Sequence, residues 1–254
     1  MSPLVPGAAT PRLRAWLSRS TLRGTVVHAG RDAVYAEVGG RCVGLLARSA
    51  VSVPCGVRTT LPSLMARAGD RVELHGGGLL TVAGCAVEVR RTVPVRVVRF
   101  RDRARAQSAL RRHLLPRIGP VLAELDEDAL FALAAGDPAA VPALLGRGSG
   151  LTPLGDDVLS GWLAATPGAS HVSTEVARLA PHRTTALSTA LLDCARHGET
   201  VPQFGRLARA LDLEPSAHRS ALEDLLAVGH TSGAGLALGC LLALVGPGGT
   251  GGRP

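Results

Sequence analysis

The 254-residue chain contains no lysine and no asparagine, a single isoleucine (Ile118), and only 2% aromatic residues. Without lysine there is no Walker-A lysine, no Schiff-base lysine and no lysine general base. Any cation in a site must therefore be arginine, protonated histidine, a metal ion or a helix terminus. The shortage of aromatics leaves the core to Leu, Val and Ala, and offers few platforms for stacking nucleic-acid bases. Lys, Asn and Ile share AT-rich codons, so their joint scarcity reflects base composition. The formal charge of +8, with every basic side chain except His an arginine, is then weak evidence for phosphate binding, and no nucleic-acid partner is expected.

Cysteine pairs are missing as well. Cys42, Cys55, Cys85, Cys194 and Cys240 stand singly with no C-x-x-C spacing, which predicts reduced thiols in a cytoplasmic protein. No apolar leader follows the early arginines, so no signal peptide is expected. The longest apolar run, Ala234–Val245, is 12 residues and contains Gly235 and Gly239. That is too short to span a bilayer and reads as a buried helix, so no membrane partner is expected.

What is present is 46% hydrophobic residues in a chain long enough to bury a core without disulfides. Up to about Val98, short β-branched runs alternate with glycine turns: 24–30, 33–38, 42–46, 71–74, 79–83, 86–89 and 93–98. One short helix is expected within 3–20, ahead of them. From Arg101 the period changes to helical, with segments at 102–115, 122–135, 141–145, 157–165, 174–179, 186–197, 204–211, 217–227 and 234–245. The expected class is α+β: a small β-barrel- or sandwich-like domain over 1–98, a helical domain over 99–246, and a disordered tail over 247–254. Ten arginines between Arg90 and Arg117 read first as a solvated helix face, and second as a docking surface for an acidic partner or an anionic substrate.

Two glycine-rich breaks interrupt the helical part. The first, Gly146-Arg-Gly-Ser-Gly-Leu-Thr-Pro-Leu-Gly-Asp-Asp157, leads into an apolar helix. Gly148, Gly150 and Gly155 let backbone N–H groups approach a ligand, and Thr152 adds a hydroxyl. Asp156 and Asp157 would repel a bare anion, but suit a ligand NH₂ group, or Mg²⁺ or another hard cation. One Asp would read as a helix cap; two with four glycines exceed what a cap needs. A small molecule with an anionic end and an amide NH₂ satisfies both halves of the loop. The second break, Gly229-His-Thr-Ser-Gly233, repeats the device: His230 is a candidate acid or base, and Thr231, Ser232 and Gly233 are candidate ligand contacts. Between them, Thr184, Thr185 and Ser188 open a helix with three hydroxyls. No histidine spacing matches a compact metal-ligand pattern, no cofactor is demanded, and no G-x-S-x-G elbow is present.

In their order, Gly150-Leu-Thr-Pro-x-Gly-Asp-Asp157, Thr184-Thr-x-x-Ser188, Ala195-x-His-Gly198 and Gly229-His-Thr-Ser-Gly233 resemble the AllH family, an oxamate carbamoyltransferase subunit. The resemblance implies a role in purine degradation, converting oxalurate and phosphate to oxamate and carbamoyl phosphate, beside FdrA-like and AllG-like subunits. Asp156, Asp157 and His230 would then be catalytic, and the loop glycines and hydroxyls would hold the carbamoyl or ureido ligand. The alternative is a non-catalytic metabolite-binding or assembly module of an FdrA-like complex. The resemblance does not say which subunit holds the chemistry. Leu154 stands where the family pattern has a small residue, and Gly235 where it has an aspartate.

Overall fold

In a computed structural model, residues 4–93, 99–213 and 215–246 are described. The chain forms two compact units, Met1–Val95 and Arg96–Pro254.

The first unit contains strands β1 (Val5–Ala9), β2 (Thr21–Ala29), β3 (Ala33–Val38), β4 (Arg41–Leu46), β5 (Gly56–Thr59), β6 (Arg71–His75), β7 (Leu79–Val82) and β8 (Cys85–Thr92), with helix α1 (Pro11–Arg19) after β1. They close into a barrel in the order β1-β5-β4-β3-β2-β6-β7-β8. Most pairings are antiparallel, but β1 with β8 and β4 with β5 are parallel. Gly39 and Gly40 (φ +56° and +72°) make the two-residue turn between β3 and β4; Ala83 and Gly84 (φ +47° and +80°) make the one between β7 and β8. The interior is filled by Val26, Val34, Val38, Leu45, Val57, Leu74, Leu80 and Val87, with Leu17 of α1 added from outside the sheet.

The expected fold class needs correction. The sheet is one closed ring and not a sandwich, and α1 lies within the barrel unit, preceded by a strand. Both strands that went unread, β1 (VPGAA) and β5 (GVRT), are short and hold few β-branched residues. Yet β1 closes the ring, pairing β5 on one side and β8 on the other. The strand expected over 93–98 falls, after Val93, outside the described residues, as does the tail over 247–254.

The second unit is helical: α2 (Arg103–Leu114), α3 (Gly119–Ala123), α4 (Glu127–Ala135), α5 (Ala140–Leu144), α6 (Leu154–Ala165), α7 (His171–Arg183), α8 (Ala186–Arg196), α9 (Pro202–Leu213), α10 (His218–Leu226) and α11 (Ser232–Val245). The helix expected over 122–135 is broken at Asp126, whose side chain accepts from the N–H groups of Asp128 and Ala129 and starts α4 afresh. α7 begins earlier than its apolar pattern because Ser170 caps it, and it runs on past Pro181.

All twelve residues of α6 are buried. Its main neighbour is α11, and glycines set the approach: a Cβ on Gly161 would overlap the Leu236 carbonyl oxygen, and one on Gly239 would overlap that of Val158. This pairing brings the start of α6 beside the start of α11. None of the helices among the described residues is long and apolar enough to cross a membrane.

Candidate functional site

The first glycine-rich break ends earlier than its sequence suggests. Pro153 occupies the N-cap of α6, so Asp156 and Asp157 lie inside the first helical turn and do not cap it by side chain. Gly148 (φ +109°) and Gly150 (φ +89°) adopt backbone that only glycine takes readily, and a Cβ on Gly148 would stand 2.8 Å from the Leu154 nitrogen. Gly155 has another use. It is buried in α6, and a Cβ there would overlap the Leu144 carbonyl oxygen, so it permits close packing of α6 on the end of α5.

Asp156 is 1% exposed, and both its carboxylate oxygens are engaged: Oδ1 accepts from the Gly146 N–H at 2.7 Å, and Oδ2 from the Thr184 hydroxyl. Burial pushes its pKa up, and the Gly146 N–H and the Thr184 and Ser188 hydroxyls pull it back. Ser188 lies close enough to favour the charged form, although its Oγ makes no hydrogen bond of good geometry. Asp156 thus ties the first loop to the start of α8. Thr185 reinforces the tie, capping α8 through the Ser188 N–H and donating to the Leu151 carbonyl at 2.6 Å.

Asp157 is different. It is 5% exposed, and its Oδ2 is buried without a partner. Burial is the main reason its pKa is pushed up to about 7; the neighbouring Asp156 adds to the rise, while the Ser232 and Thr152 hydroxyls oppose it. Those two hydroxyls hydrogen-bond each other at 3.0 Å, joining the first glycine loop to α11. A carboxyl that titrates near neutrality, beside two hydroxyls, can accept from a ligand N–H, hold a proton or pass one on. The pair does not present two free carboxylates to Mg²⁺, because Asp156 is committed to protein donors. Among the described residues no group of three or more His, Cys, Asp or Glu is placed to hold a metal ion.

The fold therefore gathers Thr152, Asp156, Asp157, Thr184, Thr185, Ser188 and Ser232 around the starts of α6, α8 and α11. His230 and Thr231 lie on the loop before α11, with His230 exposed. Gly233 is buried in α11, where a Cβ would overlap the Leu225 carbonyl oxygen. Sequence reasoning missed two backbone groups, the Gly146 N–H and the Leu151 carbonyl. The first was signalled only by the glycine that opens the break (φ +75°). The two departures from the family pattern meet in space: a Cβ on Gly235 would stand 2.7 Å from Asp157 Cβ and 3.2 Å from Leu154 Cδ1.

Comparison with curated proteins and with solved structures found no match. A family model does match, and it spans every side chain of this cluster: residues 144–244 are similar to the AllH family, described as oxamate carbamoyltransferase subunit AllH.

Proposed function

We propose that this chain serves as an AllH-type subunit of an oxamate carbamoyltransferase complex and holds a carbamoyl or ureido ligand at Asp157. The observation that carries the reading is the buried, unpartnered Oδ2 of Asp157 beside the Thr152 and Ser232 hydroxyls, within the matched segment. Backbone N–H groups at Gly148 and Gly150 and the Thr152 hydroxyl face the anionic end of the ligand, and Asp157 faces its nitrogen. In phosphorolysis of oxalurate, a phosphate oxygen attacks the ureido carbonyl carbon and the bond to the oxamate nitrogen breaks. The proton of HPO₄²⁻ must end on that nitrogen, so the step needs a relay. A carboxyl with a pKa of about 7 is suited to take the proton and return it within one turnover. Asp156, Thr184 and Thr185 act by holding the loop and α8 in place. The complex is completed by FdrA-like and AllG-like subunits in the cytoplasm.

The test is phosphorolysis of oxalurate by the reconstituted complex carrying Asp157→Asn. A loss of about 100-fold or more is expected, as for removal of a general acid–base group, with the subunits still co-purifying. Activity within threefold of the native complex would overturn the assignment (a factor set roughly against the usual size of acid–base effects) and leave a binding or assembly role.

A further inference from the structure

Charge is segregated along the helical unit. Over its described residues acidic side chains are as numerous as arginines, yet the two signs lie apart. Arg99 to Arg117 holds seven arginines and a single acidic residue, Asp102, which caps α2. From Ile118 to Gly146 there are five acidic residues and no arginine.

Part of this charge is satisfied within the chain. Arg101 pairs with Asp212, Arg103 donates to the Ala243 carbonyl, and Arg117 reaches Glu223. Asp126 and Asp137 accept from backbone N–H groups. The rest faces solvent. Arg111 and Arg112 on α2, and Glu127 and Asp128 on α4, are exposed and form no ion pair among the described residues.

Each of these two pairs precedes an exposed apolar side chain, and at the same spacing. Leu115, 37% exposed, follows Arg111 and Arg112 by four and three residues; Phe131, 67% exposed, follows Glu127 and Asp128 by four and three. Leu115 is the C-cap of α2 and has helical backbone, so the spacing is helical in both places. Residues three and four apart share one face of a helix. α2 therefore presents a leucine with two guanidiniums, and α4 a phenylalanine with two carboxylates. Every other described Phe, Trp or Tyr is buried or half-buried, which sets Phe131 apart in a chain with few aromatics.

We propose that α2 of one molecule docks on α4 of a second copy of this chain. Leu115 then rests on Phe131, and Arg111 and Arg112 face Glu127 and Asp128. With the two helices parallel, the matched spacing brings apolar to apolar and opposite charges together in a single register. The contact joins unlike faces, so it is heterologous and repeats from copy to copy, closing into a ring or continuing as a chain. The net charge of +8 does not prevent it, because exposed charges more than about 8 Å apart are largely screened at physiological salt. Exposed ion pairs are individually weak, so a dissociation constant of about 10–1000 μM is expected.

Sedimentation equilibrium of the full chain tests the contact. Self-association is expected at low salt, and raising the salt to about 0.5 M should weaken it roughly tenfold. Neutralising either face, by Arg111→Ser with Arg112→Ser or by Glu127→Gln with Asp128→Asn, should weaken it about tenfold through loss of two exposed pairs. Phe131→Ser checks the apolar half and should also weaken it about tenfold. These side chains are exposed, so the variants are expected to fold. At a concentration where each double variant alone is monomeric, an equimolar mixture of the two should regain one native contact and form a one-to-one dimer. Asp157→Asn should associate as the native chain does, which keeps the outcome independent of the carbamoyl-transfer reading. A native chain that stays monomeric at about 1 mM, a double variant that associates like the native chain, or a mixture that gives no dimer would each overturn the proposal.

Discussion

Two sets of glycines, one in each unit, do opposite work. At the β3–β4 turn of the barrel, Gly40, at φ +72°, has open space where a Cβ would stand, so what it supplies is a backbone conformation. Between α6 and α11 of the helical unit, Gly161 and Gly239 have ordinary helical backbone, and any side chain would run into a carbonyl of the facing helix. The same residue type therefore limits backbone strain at a barrel turn and interhelical distance at a helix pair.

Each unit carries one tryptophan, Trp16 and Trp162, so their unfolding can be followed separately by fluorescence in the single-Trp variants. The largest expected effect is from Gly239→Ala, which should cost the helical unit about 4 kcal/mol or more. The Trp16 transition should stay put; a native-like Trp162 transition would break the comparison. Next is Leu17→Ala, which removes a side chain 1% exposed from the barrel core and should cost that unit about 3 kcal/mol, seen only by Trp16.

Asp157→Asn should act with the opposite sign. Its folded pKa of about 7 lies above the ordinary carboxyl value of 3.8, so the folded chain binds the extra proton between those values. Native stability therefore falls as pH rises from about 4 to 7. The variant should gain on the order of 2 kcal/mol over the native chain at pH 8, discounted from the full shift for relaxation of the site, and nothing at pH 3. An equal gain at both pH values in thermal melts would remove the ionisation argument. The smallest effect is Ala83→Gly. It relieves a non-glycine φ of +47° and should stabilise the barrel by about 0.5–1 kcal/mol, read as a slightly higher urea midpoint by Trp16.

The contrast also explains what was legible in the sequence. The hydroxyls and carboxyls of the cluster could be read because their order and spacing are set along the chain, at three helix starts. Thr185 and Ser188 belong to the capped first turn of α8, with Thr184 just ahead of it, and Asp156 and Asp157 share one turn of α6. Their division of labour could not be read, since it depends on Gly146 and Thr184 reaching one carboxylate and missing the other. Gly155 and Gly233 looked like parts of a ligand loop because a glycine carries no side chain to distinguish a turn from a contact. Only the packing of α6 on α5 and of α11 on α10 makes the difference. In the barrel, β1 and β5 escaped notice because ring closure, and not residue propensity, makes them strands.

That closure has a consequence for assembly. Among the described residues, each strand of the barrel unit has a hydrogen-bonded neighbour on both sides, so the ring they form has no outer strand whose backbone is open to extension. A partner subunit cannot dock on this unit by adding a strand, and the ring does not template edge-to-edge aggregation. Recognition there has to be written in side chains such as Met65, which is 91% exposed. It can therefore change by point substitution while the ring that carries it stays the same.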